Sequence, residues 1–196
     1  APADDLLSAM LAAESSEDRL SHDEIVDNAV FSFFAGFETT TNLIGNGCAA
    51  LAAHPHELGR LYERPSLVAP AVEEFLRYDA PVQGVARIVK EPLEVAGRML
   101  RPGRVLVLLM GSANRDERVF EHPELLDVGR EPGRQVSFGG GIHYCMGAAL
   151  SRVEARTAFA RLLARTSALE PAAAPVRNTT SSFRAFSSLP LRVQAR

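Results

Sequence analysis

The residues with the most chemistry to offer lie in 137–152. There an aromatic, three glycines and a lone cysteine run in series as Phe138-Gly139-Gly140-Gly141-Ile142-His143-Tyr144-Cys145-Met146-Gly147. Glycines let the backbone take positive φ and approach a flat partner closely. The run after Cys145 reads as a helix from Met146 to Ala164. The thiol therefore stands at or just before a helix N-terminus, where unsatisfied N–H groups and the macrodipole favour thiolate. A thiolate is a soft metal ligand. With no neighbouring ligand at metal-site spacing, a metal here must bring its other ligands with it, as haem iron does. Two other chemistries fail on residues. A phosphate loop needs Gly-Lys-Ser/Thr where Gly147-Ala148-Ala149 stand, and a dinucleotide fingerprint needs a third glycine where Tyr144 stands. A glycine-rich loop followed by a buried structural cysteine is the alternative reading.

Two further stretches break local rules. Ala35-Gly36-Phe37-Glu38-Thr39-Thr40 sets a glycine and three polar residues in the middle of an otherwise apolar helical run, and such breaks concentrate at functional sites. Thr39 can turn its hydroxyl to the carbonyl of Ala35, opening or bending the helix. The alternative is a helix–helix contact with a solvated Glu38. In Glu74-Phe75-Leu76-Arg77 a carboxylate and a guanidinium lie three apart, on one helix face. By itself this reads as a surface ion pair worth a few tenths of a kcal/mol, roughly.

Taken together these stretches resemble the cytochrome P-450 family. Phe138, Gly141, Cys145 and Gly147 occupy the defined positions of its haem signature, Phe-x-x-Gly-x-x-x-Cys-x-Gly. The resemblance implies haem b (iron protoporphyrin IX) held through the Cys145 thiolate, with Gly139 in the loop beneath it. It implies that Ala35 and Gly36 line the distal haem wall and that Glu38 and Thr39 form the acid–alcohol pair that delivers protons. Phe37 stands where the family often carries a polar or aromatic residue, a position that shapes the pocket. Arg87 and His143 match the propionate contacts. Gln83, Gly84, Val85 and the hairpin-tip residues Ser182 and Phe183 match positions facing substrate, as does Ala35. Glu74 and Arg77 match a buried Glu-x-x-Arg pair that Arg130 joins, a structural cluster. The implied activity is a haem-thiolate monooxygenase that uses O2 to hydroxylate or epoxidise a small organic substrate of secondary-metabolite or xenobiotic type. Its electrons would come from a ferredoxin or flavodoxin and an NAD(P)H-dependent reductase. The alternatives are a truncated, non-catalytic relative that stabilises another protein, or a haem-binding module without turnover. The resemblance covers nearly all of this chain but only the C-terminal half of a typical member, so the missing N-terminal half is a further expected partner.

The elements that position these residues can be read in order. Residues 4–13 form a short helix capped by Asp4, with Leu6, Leu7, Met10 and Leu11 on one apolar face. Residues 14–19 are a polar linker. Ser21 and Glu24 form a capping box that starts a long central helix running to Leu51, and His54-Pro55 ends it and starts the next. Helices follow over 55–64 and 67–78. After Asp79-Ala80-Pro81 the period changes to short strands at 85–89, 93–95 and 104–109, with turn signals between them. A helical turn begins at Gly111, and 117–136 is an irregular meander. The last long helix carries Leu150, Val153, Ala160 and Leu163 as its apolar positions, with Arg152, Arg156 and Arg161 on a face that could dock an acidic redox partner. Residues 171–175 are a spacer before a terminal hairpin over 177–193. Cys48 reads as a small core residue, and His22, His54, His56 and His122 as surface residues. The expected fold is mainly α with small β-hairpins (α+β), the C-terminal haem-binding half of the P-450 fold, as one domain over 1–196.

Composition sets outer bounds. The 196 residues, 46% hydrophobic and 23% charged, suit a soluble globular domain. A net charge of -3 offers no electrostatic case for nucleic acid. No apolar run reaches bilayer length, so no membrane partner is expected. The acidic start lacks a signal peptide's basic region, and Cys48 and Cys145 sit in unlike contexts that suggest no disulfide. A reducing cytoplasm is the expected location. The first residue is not methionine, which leaves a fragment or a processed product open.

Overall fold

The computed structural model describes residues 3–13, 20–131, 133–179 and 183–196. The chain divides into two compact units, Ala1–Glu38 and Thr39–Arg196. Among the described residues, no helix is long and apolar enough to cross a membrane.

The first unit holds α1 (Leu6–Ala13) and the start of α2 (His22–Ala53). Asp5, not Asp4, caps α1: its carboxylate accepts the Ser8 N–H at 2.7 Å. Leu6, Leu7 and Leu11, read as part of one apolar face, are exposed. The linker expected over 14–19 lies outside the described residues. The capping box is formed in both directions. The Ser21 N–H donates to Glu24 at 2.7 Å and the Glu24 N–H donates to Ser21 Oγ at 3.3 Å, so orphan donors at the helix start are satisfied reciprocally. Along this first half of α2 a run of large apolar side chains is solvent-exposed, including Val30, Phe31, Phe33 and Phe37. Phe33 and Phe37, one turn apart, stack with ring centroids 6.1 Å apart.

In the second unit α2 continues to Ala53 and is followed by α3 (Pro55–Glu63), a 3₁₀ turn at Pro65–Leu67 and α4 (Val68–Tyr78). His54 stands between α2 and α3 with Pro55 at the first helical position. It is not the plain surface residue expected. Its Nδ1 donates to the Ala50 carbonyl at 2.7 Å, satisfying an acceptor at the end of α2, and its ring meets Tyr78 edge-on. Four antiparallel strand pairs follow. β1 (Val85–Ile88) pairs β4 (Val105–Leu108), and β2 (Leu93–Val95) pairs β3 (Arg98–Leu100), a strand the sequence reading missed. The turn between β2 and β3 places Ala96 and Gly97 both at positive φ. That primed geometry matches strand twist and closes a two-residue hairpin.

After α5 (Met110–Ala113) the chain runs irregularly to the 3₁₀ turn Gly141–His143, then enters α6 (Ala148–Arg165). This helix starts two residues later than expected, with Gly147 as its N-cap. Its buried residues are Ala148, Ala155, Phe159 and Leu163. Leu150 and Val153, two of its apolar positions, are exposed. The expected arginine face also changes character, because Arg152 and Arg156 both turn to Glu73 on α4. β5 (Thr166–Pro171) continues directly from α6 and pairs β8 (Leu191–Ala195), while β6 (Val176–Arg177) pairs β7 (Phe186–Ser188). The terminal hairpin is legible in the sequence but β5 is not, because its partner lies about twenty-five residues away in the chain.

Leu43 and Leu51 of α2, Leu61 of α3, Val72 and Phe75 of α4, and Ala155 and Phe159 of α6 converge as the core. Phe75 and Phe159 lie 4.9 Å apart between ring centroids. The close approach of α2 depends on Gly47: a Cβ there would lie 2.5 Å from Phe159 and 2.9 Å from Phe75. Cys48 packs against this core, and burial pushes its thiol up to about 11, which fits an inert structural cysteine.

Candidate haem-thiolate site

The site begins with the irregular segment that carries the cysteine. A segment without helix or ladder must place its backbone groups elsewhere, and here buried side chains take them. Glu74 of α4 is the first anchor. Arg77 Nε and Nη2 donate to its two oxygens at 2.7 and 2.8 Å, the Asp127 N–H at 3.0 Å and Arg130 Nε at 3.3 Å. Arg77 also donates to the carbonyls of Asn114, Pro123 and Leu125. Arg130 donates to those of Glu121 and His122. The structure thus brings Glu74, Arg77 and Arg130 together, and the side chains of Glu74 and Arg77 are only 1% and 2% exposed.

A second anchor was not legible beforehand. Glu57 of α3 is buried and accepts the Val128 N–H at 2.9 Å and Arg60 at 2.8 Å, and Arg60 reaches on to Asp127 at 2.7 Å. Burial pushes the Glu57 carboxyl up, but the Val128 N–H, Arg60 and His56 outweigh it and hold it below its ordinary value. Its only sequence signal was the Glu57–Arg60 spacing, the same three-residue interval as Glu74–Arg77. Fully buried Asn114 closes the segment. It accepts the Val136 N–H at 2.8 Å and donates to Ser137 Oγ at 2.7 Å, while that hydroxyl donates to the Leu76 carbonyl.

The segment so fixed delivers the cysteine loop. Gly139 and Gly141 take φ of 71° and 62°, the left-handed region where a side chain is strained. The Cys145 N–H donates to the Phe138 carbonyl at 2.9 Å, closing the loop on itself, and the Cys145 carbonyl accepts the Ala148 N–H at the start of α6. Phe138 packs against the core, whereas Gly139, Gly140, Gly141, Ile142, His143, Tyr144, Cys145, Met146 and Gly147 are exposed. Cys145 is a free, exposed thiol, the opposite environment from Cys48.

These residues fit a haem. Ile142 and Met146 flank the thiol at 98% and 92% exposure, and a Cβ built at Gly140 or Gly141 would meet nothing within 4 Å. The loop therefore presents a soft donor beside exposed apolar side chains, with open space over its glycines. A planar apolar group bringing its own equatorial ligands satisfies both features.

The remaining expected residues fall as follows. Ala35, Gly36 and Glu38 lie in the first unit and Thr39 begins the second. The α-helix is continuous through all four. In the second unit Thr40 is buried, and its hydroxyl donates to Ser151 Oγ on α6 at 3.2 Å. Arg87 lies on β1 opposite Leu106, and its guanidinium donates to the Ala86 carbonyl. Gln83 and Val85 lead into and begin β1, and Val82 forms a β-bridge to Phe183, bringing the hairpin tip to this edge. The Gln83 side chain is committed: its Nε2 donates to the Ala80 carbonyl at 2.7 Å. Ser182 lies outside the described residues.

What holds the hairpin there was not foreseen. Asn46, fully buried in α2, donates to the carbonyls of Asp79 and Arg184 and accepts Arg177 Nη1 at 3.0 Å. Asp79 accepts both Arg177 Nη2, at 2.7 Å, and Arg184 Nε. Asn46 is thus the point on α2 that anchors the C-terminal hairpin.

Comparison with known proteins agrees with this geometry. The cytochrome P-450 family model matches residues 64–194. The chain is 46% identical over its whole length to a putative cytochrome P-450 123 of Mycobacterium tuberculosis, covering 49% of that protein. It is 43% identical over 89% of its length to the polyketide biosynthesis cytochrome P-450 PksS of Bacillus subtilis, covering 43% of that protein. The solved structure of the tirandamycin C-bound P-450 monooxygenase TamI superposes with a TM-score of 0.93 at 38% identity, over 98% of this chain and 49% of that one. The chain spans about half the length of the curated relatives it matches. With the fold, the glycine loop and the exposed cysteine all in agreement, this chain belongs to the cytochrome P-450 family.

Proposed function

We propose that residues 1–196 form the C-terminal, haem-binding part of a haem-thiolate monooxygenase acting on a small organic molecule of secondary-metabolite or xenobiotic type. The observation that carries this reading is the exposed Cys145 on its glycine loop, flanked by Ile142 and Met146 and backed by the anchored segment. The names of PksS and TamI, one tied to polyketide biosynthesis and one bound to tirandamycin C, support the substrate class.

Haem b, when bound, supplies the oxygen-activating redox chemistry. The chain's own residues serve it. Cys145 binds the iron as thiolate, with Gly139, Gly147 and Phe138 shaping the loop around it. Arg87 and His143 orient the propionates, for which an arginine fork suits a carboxylate. Glu38 and Thr39 hold and pass protons at the carboxylate and hydroxyl oxygens, and Ala35 and Gly36 leave room beside them. Gln83, Val85 and Phe183, with Ala35 and Ser182, bound the substrate. Electrons arrive from a ferredoxin or flavodoxin with an NAD(P)H-dependent reductase, in the cytoplasm. The remaining half of a relative's length, which this chain does not span, completes the site and excludes water.

The test is absorption spectroscopy of the reduced, carbonyl-bound protein with that half present. The parent is expected to give a thiolate-type spectrum and Cys145→Ala to lose it. A parent-like spectrum in Cys145→Ala, or metal bound with no porphyrin, overturns the reading.

A further inference from the structure

Arg152, in the second turn of α6, contacts the cysteine loop at both Phe138 and Tyr144. Its Nε and Nη2 donate to the two oxygens of Glu73 on α4, at 2.6 and 3.1 Å. Its guanidinium carbon lies 4.5 Å from the centre of the Phe138 ring, within cation–π range. Its Nη1 donates to the Tyr144 hydroxyl at 3.3 Å and to the Ala148 carbonyl at the same distance. Phe138 begins the loop that closes through the Cys145 N–H, Tyr144 stands immediately before Cys145, and their rings meet at 6.5 Å. One planar cation thus touches the loop at its start and next to Cys145, and ties both places to α4.

Glu73 is arranged to hold that cation in place. It is mostly buried, with its side chain 13% exposed, and also accepts Gln135 Nε2 and Arg156 Nη2. Gln135 in turn accepts the Ser137 N–H, one residue before Phe138. Burial raises the Glu73 carboxyl, but Arg152 and its companions outweigh this and hold it below its ordinary value. The pair therefore stays charged at neutral pH.

We propose that Arg152 is a positioning residue for the Cys145 loop, acting through Phe138 and Tyr144, and that Glu73 fixes its orientation. The proposal rests on the haem-thiolate reading above. It separates two roles. The charge against Glu73 can be supplied by lysine, whereas stacking on Phe138 while bonding Tyr144 needs the planar fork.

The experiment uses the chain together with the remaining half proposed above, bearing Arg152→Lys, Arg152→Gln or Tyr144→Phe. Two quantities are followed: the urea unfolding midpoint, and the rate at which the carbonyl-bound thiolate-type spectrum decays at sub-denaturing urea. Arg152→Lys is expected to keep a parent-like midpoint yet lose the thiolate-type spectrum about ten times faster, the scale typical of groups that orient a metal ligand. Arg152→Gln should lose both. Parent-like decay in Arg152→Lys overturns the proposal, since Arg152 would then be only the cation of an ion pair. Should Arg152→Lys fail to fold, Tyr144→Phe decides: faster decay with an unchanged midpoint supports the role, and parent-like decay overturns it. A parent that gives no thiolate-type spectrum overturns the haem-thiolate reading itself, and this proposal with it.

Discussion

Glu74 and Arg77, one turn apart on α4, form a two-pronged ion pair with almost no exposure to water, and the pair's spare donors and acceptors are spent on the backbone of the segment that leads to Cys145. Desolvating two charges is costly, and mutual attraction alone rarely repays it. Here Glu74 also accepts the Asp127 N–H, and Arg77 fills three carbonyls that have no ladder partner. The pair therefore replaces secondary structure for a stretch that has none.

Removing one partner leaves the other buried and uncompensated. Glu74→Ala is expected to cost on the order of 3–5 kcal/mol, read as the shift in denaturant midpoint. A midpoint close to the parent's would show that the segment is held by other contacts.

Gly47 tests the packing of α2 against α4 and α6. A methyl group there collides with Phe159 and Phe75, both buried side chains. Gly47→Ala should destabilise by about 1–3 kcal/mol, the usual cost of overpacking. A Gly47→Ala protein at least as stable as the parent, as helix propensity alone would favour, would mean the two rings move aside freely.

Asp79 receives both hairpin arginines, and its side chain is only 9% exposed. Asp79→Asn keeps the shape but removes the charge, and should cost about 1–3 kcal/mol, as for a charged hydrogen bond. Hydrogen exchange localises the effect: amides of β7 (Phe186–Ser188) should exchange faster while those of α4 hold. Uniform protection across both would refute the anchor.

Acid should destabilise the second unit through Glu57, Glu73 and Asp127. Burial raises each carboxyl, but donors outweigh it and each is held below its ordinary value, 4.5 for the glutamates and 3.8 for Asp127. Their stabilisation is thus complete above those ordinary values. It is lost as pH falls through the lower folded values, when the folded state must take up protons it otherwise excludes. Denaturant midpoints taken from pH 7 to pH 3 should fall, and Glu73→Gln should fall less steeply. An identical slope in parent and Glu73→Gln would remove Glu73 from the account.

The sequence by itself determined whatever depends on a few neighbouring residues. The Ser21–Glu24 box starts α2 because both bonds close within one turn, and Pro55 starts α3 because its φ suits a helix and its missing N–H is not needed there. The loop from Phe138 to Gly147 is legible for the same reason, since glycine spacing and one cysteine specify its local shape. Glu74 and Arg77 share a face by helical period alone. Only the tertiary structure decided which apolar residues are buried. Leu150 and Val153 are as apolar as the residues of the core, yet they face water while Ala155 and Phe159 meet α2 and α4. It also decided that Asn46, Asp79, Arg177 and Arg184 are one cluster, that β5 pairs β8, and that Arg152 belongs to the cysteine loop. Caps and turns act over three or four residues, where chain connectivity already holds the partners close. Burial and long-range ion pairs depend on what packing brings alongside, and local spacing carries no record of that.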